Sequence, residues 1–351
     1  MKDNNMMLGI VGFGGMGNWH RETISTIEGL EVAGIYDICE DRVEFAKENG
    51  VLTYHSLEEL LEDPVVDMVL VATPNDLHKP IAIQAMRAGK PVVSEKPVTL
   101  NSSDLEEMMR VSQETGVFLT VHQNRRWDED FLTMKAVFDK KLLGEVYRIE
   151  SRVQGSRGIP GDWRQEKEHG GGMVLDWGVH LLDQILLMMG SRKIKTVYAS
   201  LTNITNQIVD DGFTAVLGFE NGPEVLVEVG TSNFITLPRW YMLGQNGTAV
   251  MEDWELHGRI VKASGMNEKD VVPVRTAAGL TKTMAPRRED TIHTEELPIA
   301  HSDIRDFYRN VMKVIAGTEE PRIKLPEVMR VMKLMEAIFE AAKKKEIVYF
   351  E

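Results

Sequence analysis

The sequence predicts an α/β fold for the first 125 residues and an α+β fold for the remainder. In the first part, short β-branched runs alternate with amphipathic segments, which is typical of a parallel, doubly wound sheet. In the second part, apolar runs are separated by Asn-Gly pairs, which indicates antiparallel hairpins with helices on one face. A chain of 351 residues is long for a single core. We therefore predict two domains, 1–125 and 126–351.

The predicted elements of the first domain follow from apolar periodicity and from capping residues. Ser56 followed by Glu59 fits a capping box, and Gly89 and Gly116 are placed to end helices. The predicted strands are Leu8–Val11, Val32–Tyr36, Met68–Ala72, Val92–Ser94 and Val117–Val121, and the predicted helices are 15–27, Asp41–Asn49, Ser56–Leu61, Pro80–Ala88 and Asn101–Thr115.

In the second domain, Asn221–Gly222 and Asn246–Gly247 have the chemistry of type I′ hairpin turns. Residues 263–298 have weak periodicity and are interpreted as a long loop region. In this prediction the C-terminal helix can pack against the first domain. The predicted strands are Thr196–Leu201, Thr214–Phe219, Glu224–Val229, Tyr241–Gly244 and Ala249–Asp253, and the predicted helices are Phe131–Asp139, Val174–Met189, Ser302–Ala316 and Pro326–Lys345.

Charge and composition exclude several classes of partner. The formal net charge of −14 argues against nucleic acid and against an anionic membrane surface, because both require a basic surface. No apolar stretch approaches the length of a membrane span, and no secretory signal is recognised. The single cysteine, Cys39, allows no intrachain disulfide. We expect a cytoplasmic protein.

A glycine-rich loop follows the first predicted strand and precedes a predicted helix. Residues 12–17 read Gly-Phe-Gly-Gly-Met-Gly, which is the spacing of a dinucleotide-binding loop. Gly12 would allow the tight turn, Gly14 the close approach of a pyrophosphate, and Gly17 the packing of helix on strand. We expect the cofactor to contact the loop residues Gly12, Phe13, Gly14, Gly15 and Met16.

Asp37 ends the second predicted strand, where an acidic residue would bind the adenosine ribose. A carboxylate at this position repels the additional phosphate of NADP, so NAD is the favoured cofactor. Arg42 lies nearby and could stack on adenine or serve a phosphate. The alternative is that Asp37 is only a solvated cap.

Two polar segments follow buried strands, at the sheet edge where ligands bind in such folds. Thr73-Pro74-Asn75, with His78 close behind, is one; its alternative interpretation is a helix-capping turn. Glu95-Lys96-Pro97 is the other. A partly desolvated Lys96 beside a nicotinamide would suit acid/base chemistry, and the alternative is an ordinary surface ion pair.

A third segment, Gly170–Asp183, opens with three glycines. On an α-helix, Asp176 and His180 have i, i+4 spacing and therefore share a face. They could act on a hydroxyl as acid/base and orienting group, or form a buried structural pair. The pair offers only two metal ligands and no thiolate, so no metal is expected.

Together these motifs resemble the glucose-fructose oxidoreductase/inositol dehydrogenase/MocA family, abbreviated Gfo/Idh/MocA. The resemblance covers nearly the whole chain. Most relatives have His where Pro91 stands, a departure that touches no chemistry. The resemblance rests on Gly12–Gly17, on Thr73-Pro74-Asn75 with His78, on Ala88-Gly89-Lys90 leading to Glu95-Lys96-Pro97, on Asn124-Arg125-Arg126, and on Gly170–Asp183.

The resemblance implies that Lys96, Asp176 and His180 form the catalytic group of a dehydrogenase acting on a secondary hydroxyl of a sugar, glycoside or cyclitol. It implies that Glu95 and Asn124 line the nicotinamide side. It also implies a large, open, mostly antiparallel sheet in the second domain, so we expect a homo-oligomer, either dimer or tetramer.

Within the family, Asn124–Asp128 and Asp162–Arg164 resemble scyllo-inositol dehydrogenases, and Thr283–Arg287 resembles relatives that oxidise the 3-hydroxyl of glucosides. We expect Arg157, Trp163 and Arg164 near the substrate, together with Lys96, Asp176 and His180. Two alternatives stay open: a glycoside-cleaving enzyme that recycles tightly bound NAD, and a non-catalytic sensor.

Overall fold

The computed structural model describes residues 5–265 and 271–350. Two large sheets organise this part of the chain, one with five strands and one with nine. The elements of the first region are the strands β1 (Met6–Val11), β2 (Leu30–Tyr36), β3 (Met68–Val71), β4 (Val92–Ser94) and β5 (Leu119–Val121), and the helices α1 (Gly15–Ile24), α2 (Glu40–Glu48), α3 (Leu57–Glu62), α4 (His78–Arg87) and α5 (Ser102–Thr115).

The five-stranded sheet is parallel, in the order β2-β1-β3-β4-β5, which confirms the predicted doubly wound fold. The register of its strands determines which of the following segments lie next to each other. Val11, Val71, Ser94 and Val121 are neighbours across the sheet, each at the carboxyl end of its strand. The four segments that follow these strands therefore begin side by side, and they carry most of the polar motifs.

Helix starts and stops in this region follow the expected capping chemistry. The Ser56 side chain accepts a hydrogen bond from the Glu59 backbone at 3.1 Å, which begins α3. Asn101 does the same for the Asp104 backbone at 2.9 Å, which begins α5. Gly116 ends α5 with φ 68°, a conformation that favours glycine.

The nine-stranded sheet has the order β15-β12-β11-β10-β6-β9-β8-β7-β16, and only its β6–β9 pair is parallel. The predicted mostly antiparallel sheet is confirmed. The strands are β6 (Val146–Gln154), β7 (Ile194–Thr202), β8 (Gly212–Phe219), β9 (Glu224–Gly230), β10 (Trp240–Gly244), β11 (Gly247–Met251), β12 (Gly258–Ala263), β15 (Ile292–Glu295) and β16 (Val348–Tyr349), with a separate hairpin of β13 (Val274–Thr276) and β14 (Gly279–Thr281).

Helices cover one face of this sheet, where alternate strand residues are buried. The helices of the second region are α6 (Glu129–Asp139), α7 (Val179–Met189), α8 (Arg305–Ile315) and α9 (Leu325–Lys344), and of these α8 contacts α1 of the first region. The amphipathic α9 contacts β7 on the larger sheet, and it also contacts α5 and β5 of the first region. No helix of residues 5–265 and 271–350 is long and apolar enough to cross a membrane.

Three predictions for the second region were wrong. The expected loop 263–298 contains β13, β14 and β15, and β15 pairs with β12 at the sheet edge. This edge strand reads Ile-His-Thr-Glu and none of its residues is fully buried, so it lacks an apolar alternation to detect. Neither Asn-Gly pair forms the predicted type I′ turn. The turn after β10 is centred on Gln245 and Asn246, neither of which has positive φ, and between β8 and β9 Asn221 has positive φ but Gly222 does not.

The third concerns the predicted helix Val174–Met189. The segment is helical, but Val174–Gly178 forms a π-helical turn before α7 begins. A wider first turn changes which side chains share a face, so the spacing of Asp176 and His180 no longer guarantees that they meet.

Candidate active site

The glycine loop after β1 has the shape that a dinucleotide requires. Gly12 has φ +91°, and a Cβ there would lie 2.7 Å from the Ala72 backbone. A Cβ at Gly17 would lie 2.3 Å from the Gly12 carbonyl oxygen, so helix and strand approach closely. By contrast, nothing lies within 4 Å of the Cβ positions of Gly14 and Gly15. The start of α1 is therefore an open cradle, where free N–H groups favour an anion.

The Asp37 carboxylate closes one side of this cradle. It accepts hydrogen bonds from the backbone N–H of Phe13 at 2.6 Å and of Cys39 at 2.8 Å. These bonds fix its orientation and leave further lone pairs for hydroxyl donors, since a carboxylate offers about four. The Arg42 side chain is exposed and makes no hydrogen bond or ion pair with any described residue. Hence the charge of Asp37 is not offset by Arg42.

The other two loop residues face different surroundings. The Phe13 ring is 1% exposed and packs on Phe45 with ring centroids 6.2 Å apart. Its side chain is therefore part of the core, and only its backbone belongs to the cradle. Met16 is 37% exposed at the start of α1.

The segment after β3 is held in place by His78, which contacts two loops. His78 is fully buried, with Nε2 2.9 Å from the Thr73 carbonyl oxygen and Nδ1 2.9 Å from the Pro97 carbonyl oxygen. Burial lowers the pKa of His78, and its two backbone contacts oppose that shift. Since both nitrogens are occupied, His78 can act on a bound cofactor only through the loops that carry Thr73 and Pro97.

Asn75 links this segment to the second region. Its side-chain amide donates to the Gly170 carbonyl oxygen at 3.0 Å, and the neighbouring Asp76 pairs with His169 at 2.9 Å. Thr73 and Pro74 lie directly after the buried strand β3, half-buried at the same edge as the glycine loop. The structure therefore brings together the Thr73–Asn75 segment and the Gly170–Gly172 loop.

Lys96 and Asp176 form the centre of the site. The Lys96 ammonium donates to the Asp176 carboxylate at 3.1 Å and to its backbone carbonyl at 3.0 Å. Arg164 donates to the other carboxylate oxygen at 3.3 Å. Burial alone would raise the pKa of Asp176, but the charges of Lys96 and Arg164 lower it below its usual value. Asp176 is thus an ionised group held between two cations.

His180 lies beside this pair without bonding to it. Its ring is 4% exposed, and Nδ1 is buried with no hydrogen-bond partner among the described residues. Burial and the charges of Lys96 and Arg125 hold the pKa of His180 well below its usual value, so the imidazole is neutral. The predicted meeting of Asp176 and His180 on one α-helical face is replaced by the π-helical turn, and Asp176 is oriented by Lys96 and Arg164 instead.

Several buried polar atoms of residues 122–125 and 180–184 lack a hydrogen-bond partner among the described residues. The side-chain oxygens of Gln123 and Asn124 are buried without partners among the described residues, as is Nδ1 of His180. Buried polar groups are nearly always satisfied by protein, water or ligand. These atoms therefore mark the place where a bound molecule or ordered water completes the hydrogen bonding. Asn124, like the glycine loop, fits the expected nicotinamide side.

The glycine triplet has a packing reason. A Cβ at Gly171 would lie 2.3 Å from the Arg164 carbonyl oxygen, and a Cβ at Gly172 would lie 2.3 Å from an Asp210 carboxylate oxygen. Asp210, which the sequence did not single out, accepts the backbone N–H of Val174 at 2.8 Å. Burial raises the pKa of Asp210 to about 6. The glycines therefore allow this loop to pack closely against the backbone of Arg164 and the side chain of Asp210, and these contacts position Arg164 and Asp176.

The three residues expected near the substrate are placed differently. Arg164 contacts Asp176 directly, and its guanidinium stacks 4.6 Å from the centroid of the half-buried Trp163 ring. Arg157 is exposed and contacts no other candidate residue through a hydrogen bond or ion pair in the described chain.

Arg126, next to Arg125, is buried in a bidentate pair with Asp183 at 2.7 and 2.8 Å.

A second polar cluster lies on the other side of the Glu95–Lys96 backbone. Glu95 was expected beside the nicotinamide, but its carboxylate accepts from His20 at 2.8 Å, from His122 at 2.9 Å and from the Lys96 backbone at 3.0 Å. Tyr308 donates to the remaining nitrogen of His20 at 2.7 Å. We call these four residues, His20, Glu95, His122 and Tyr308, the closed cluster, because all are buried.

Charge in the closed cluster resides on Glu95. Burial would raise the pKa of Glu95, but the hydrogen bonds and charges of His122 and His20 lower it well below its usual value. Burial and the charge of His122 lower the pKa of His20 to about 4. The three ligand-type atoms of His20, Glu95 and His122 are close enough for a metal, but their spacing is that of N–H donors on one carboxylate.

Sequence reasoning missed His20, His122, Tyr308 and Asp210. His20 is three residues beyond Gly17, and His122 follows β5 at the edge where ligand residues were sought. The position of His122 was the one available signal. Nothing local marked Tyr308, whose partner His20 is 288 residues away.

Comparison with known proteins agrees with this architecture. Residues 6–123 match the model of an oxidoreductase family with an NAD-binding Rossmann fold, and residues 131–250 match the GFO/IDH/MocA C-terminal domain. A solved NAD-binding protein from Listeria innocua is 48% identical with a TM-score of 0.95, and the match covers 99% of each chain.

Two of the curated relatives are named for inositols. The NADP-dependent scyllo-inositol 2-dehydrogenase of Bacillus subtilis is 26% identical over 100% of this chain and 97% of its own. The myo-inositol 2-dehydrogenase of Thermotoga maritima is 31% identical over 62% of this chain and 66% of its own. The glycine cradle, the two sheets and these matches together establish that this chain belongs to the Gfo/Idh/MocA oxidoreductase family, with an NAD(P)-binding Rossmann domain.

Proposed function

We propose that this chain is an NAD-dependent dehydrogenase that moves hydride between nicotinamide and a secondary hydroxyl or ketone of a sugar, glycoside or cyclitol. The observation that carries the proposal is the Lys96–Asp176 ion pair at 3.1 Å, beside the neutral His180. In this proposal residues 1–125 bind the cofactor, and residues 126–351 supply the substrate side.

The cofactor would lie along the carboxyl edge of the parallel sheet. Its pyrophosphate fits the open cradle at Gly14 and Gly15, where no atom lies within 4 Å of either Cβ position. Asp37 would accept the ribose hydroxyls. In the proposed set, His78 and Glu95 act by positioning neighbouring backbone, and direct contacts come from Gly12, Phe13, Gly14, Gly15, Met16, Asp37, Arg42, Thr73, Pro74, Asn75, Lys96 and Asn124.

NAD is favoured over NADP by the charge at the ribose site. The Asp37 carboxylate has no cationic side chain paired with it among the described residues. A second phosphate there would meet a fixed negative charge. The B. subtilis relative is named for NADP, so cofactor choice is a property to measure in this chain.

The chemistry falls to Lys96, Asp176 and His180. A bound nicotinamide supplies the hydride acceptor or donor. Asp176 orients Lys96, whose ammonium can bind the carbinol oxygen and stabilise developing negative charge. Neutral His180 has a lone pair that can take the hydroxyl proton, and a protonated imidazole can return it. Trp163 and Arg164 would contact the substrate ring, with Arg157 at the exposed end of the same loop.

The substrate class rests on the names of the relatives and on the polar lining of the site. The two relatives described above are named for inositols, which are rings of secondary hydroxyl groups. Lys96, Arg164 and Asp176 offer donors and acceptors of the kind that such a ring can bind bidentately.

The deciding experiment is absorbance at 340 nm with purified protein, NAD or NADP, and a panel of inositols, glucose, and aryl and C-linked glucosides. We expect NADH to form with one substrate group. No NADH across the panel, with NAD released on denaturation and cleaved sugar detected, would replace the proposal by internally recycled NAD. No NADH and no altered sugar, despite sugar binding, would replace it by a sensor.

We also propose a dimer or tetramer formed through the open face of the larger sheet. Cross-strand register places Tyr198, Val216, Leu226 and Glu150 in one row on the face opposite the buried residues. Tyr198 is 47% exposed, and the next two are only partly buried. Light scattering should give a multiple of 39.6 kDa, and Tyr198→Glu should lower it. A monomeric native protein would contradict this.

A further inference from the structure

A pair of tryptophan rings extends outward from the candidate active site. Trp177 follows Asp176, and its ring centroid is 5.9 Å from that of His180. The ring of Trp254 is 6.0 Å further on. Trp254 belongs to the turn between β11 and β12, so it comes from the edge half of the larger sheet.

Both rings are held in place by stacked guanidinium groups. The Arg125 guanidinium carbon is 4.1 Å from the Trp177 centroid and 5.5 Å from the Trp254 centroid. The Arg239 guanidinium carbon is 4.3 Å from the Trp254 centroid, and Arg239 donates to the Arg152 carbonyl oxygen at 2.7 Å. Such cation–π contacts orient an aromatic ring that would otherwise be free to rotate.

The turn itself is rigid as well. The Asp253 carboxylate accepts from the Glu255 backbone at 3.0 Å and from the His257 ring at 2.8 Å. Trp254 nevertheless remains 49% exposed. A large aromatic surface that is fixed in orientation, half exposed and next to a reaction centre is suited to stacking on a flat ligand.

The charges around the two rings favour an uncharged ligand. Arg125 pairs with Asp128 at 2.9 Å, and Arg239 lies 3.2 Å from Asp130. Each cation therefore has its own carboxylate, and the surroundings of the two rings are close to neutral. A sugar or aryl ring, which is uncharged and has a flat apolar face, matches this surface.

We propose that Trp254 is a specificity residue, the floor of an outer subsite that stacks on the second ring of a glycoside while the first ring lies at Lys96, Asp176 and His180. This inference rests on the proposed function, which places the reacting ring. It narrows the substrate class to glycosides with an aryl or sugar aglycone, since a free cyclitol has no second ring to occupy the subsite.

The test compares phenyl β-D-glucoside with methyl β-D-glucoside, which share the reacting ring and differ only in the aglycone. For Trp254→Ala we expect KM for the phenyl compound to rise about 3- to 10-fold more than KM for the methyl compound, the usual range for an aromatic contact. Trp254→Phe should restore most of the difference. Tyr349→Ala is the control, because Tyr349 is 84% exposed on β16 at the opposite edge of the sheet.

Calorimetric binding of the same two glucosides, in the presence of NAD, separates this inference from the proposed function. If neither glucoside is oxidised but Trp254→Ala still weakens phenyl glucoside selectively, the subsite stands and the dehydrogenase reaction fails. If turnover is observed and Trp254→Ala changes both compounds equally, the subsite is wrong and the reaction stands. Unchanged binding of both compounds would also overturn the subsite.

Discussion

Glu95 and Lys96 are consecutive residues whose side chains enter two different environments. Glu95 enters the closed cluster, where each carboxylate oxygen has a donor within 3.0 Å. Lys96 enters the open site, where it meets Asp176 beside the unpartnered Nδ1 of His180. Both environments hold buried charge, and each has a buried nitrogen without a partner among the described residues, Nε2 of His122 in the closed cluster and Nδ1 of His180 in the open site. They differ in exposure, because every member of the closed cluster is buried, whereas the side chains of Lys96 and Asp176 are partly exposed.

That difference in exposure decides which of the two charged groups a ligand could reach. A carboxylate with donors on both oxygens is already stabilised and has little left to offer a ligand. A partly exposed ion pair beside an unpartnered nitrogen can still form hydrogen bonds to a ligand or to ordered water. We therefore assign the closed cluster to support of the Lys96 backbone, and the proposed function places ligand binding at the open site.

The largest effect is expected for Lys96→Ala, which tests the role of the open site in the reaction. We expect turnover to fall about 10²–10⁴-fold, the range usual for acid/base and charge-stabilising groups. NAD should still bind, because the cradle at Gly14 and Gly15 and the Asp37 carboxylate are unchanged. Lys79→Ala is a matched control, since Lys79 pairs with Asp104 on α4 and α5, away from the site. Near-normal turnover would remove Lys96 from the mechanism.

Acidification tests the closed cluster through stability. The pKa of His20 is lowered from 6.5 to about 4, so between those values the unfolded chain binds more protons than the folded protein. The stabilisation is complete above pH 6.5 and is lost as the pH falls toward 4. We expect the free energy of unfolding in urea to fall by up to about 2 kcal/mol between pH 6.5 and ~5.

His20→Gln provides the control for that titration. The variant removes the titrating ring, so its stability should fall less steeply over the same pH range, even though it starts lower. Equal slopes for the two proteins would assign the acid sensitivity to other buried groups, such as His78 or His180, whose pKa values are also lowered by burial.

Asp37→Ser tests whether the Asp37 carboxylate determines the choice between NAD and NADP in the proposed cofactor site. Loss of the carboxylate removes the proposed ribose acceptor and the repulsion of a second phosphate. We expect NAD affinity to fall about 10-fold while NADP affinity holds or rises, measured by fluorescence titration. Asp41→Ser, an exposed acid in the first turn of α2, is the control. An unchanged preference would mean that Asp37 only caps the loop.

The smallest effect is expected for Tyr308→Phe. Removing the hydroxyl leaves Nδ1 of His20 without its donor in a fully buried position. We expect a loss of about 1–2 kcal/mol of unfolding free energy, with KM for NAD unchanged. Tyr54→Phe, which removes a hydrogen bond to Asp63 far from the site, should cost less because Asp63 also accepts from Val65. A drop in turnover without a loss of stability would contradict a supporting role.

Local patterns were enough to predict most of the open site. The glycine loop, Asp37 and Lys96 each follow a buried strand at one edge of a parallel sheet, and that topology brings them together. The fold class followed from the same alternation. Even here, contact between Asp176 and Lys96 was implied by resemblance, because no spacing links residues 80 positions apart.

The closed cluster could not be predicted in the same way. His20, His122 and Tyr308 meet only after α1, β5 and α8 have packed, and no local pattern encodes that meeting. The π-helical turn at Val174–Gly178 was missed because apolar periodicity does not distinguish it from an α-helix. The edge strand β15 was missed because a polar edge strand lacks the alternation that identifies a strand.

The hydrogen bond from Asn75 to Gly170 would couple the two binding events that the proposed function requires, those of dinucleotide and substrate. It ties the turn that borders the cofactor cradle to the loop that leads into Asp176. Linkage between two sites is reciprocal. If the dinucleotide changes the affinity for substrate by some factor through this bond, the substrate changes the affinity for the dinucleotide by the same factor.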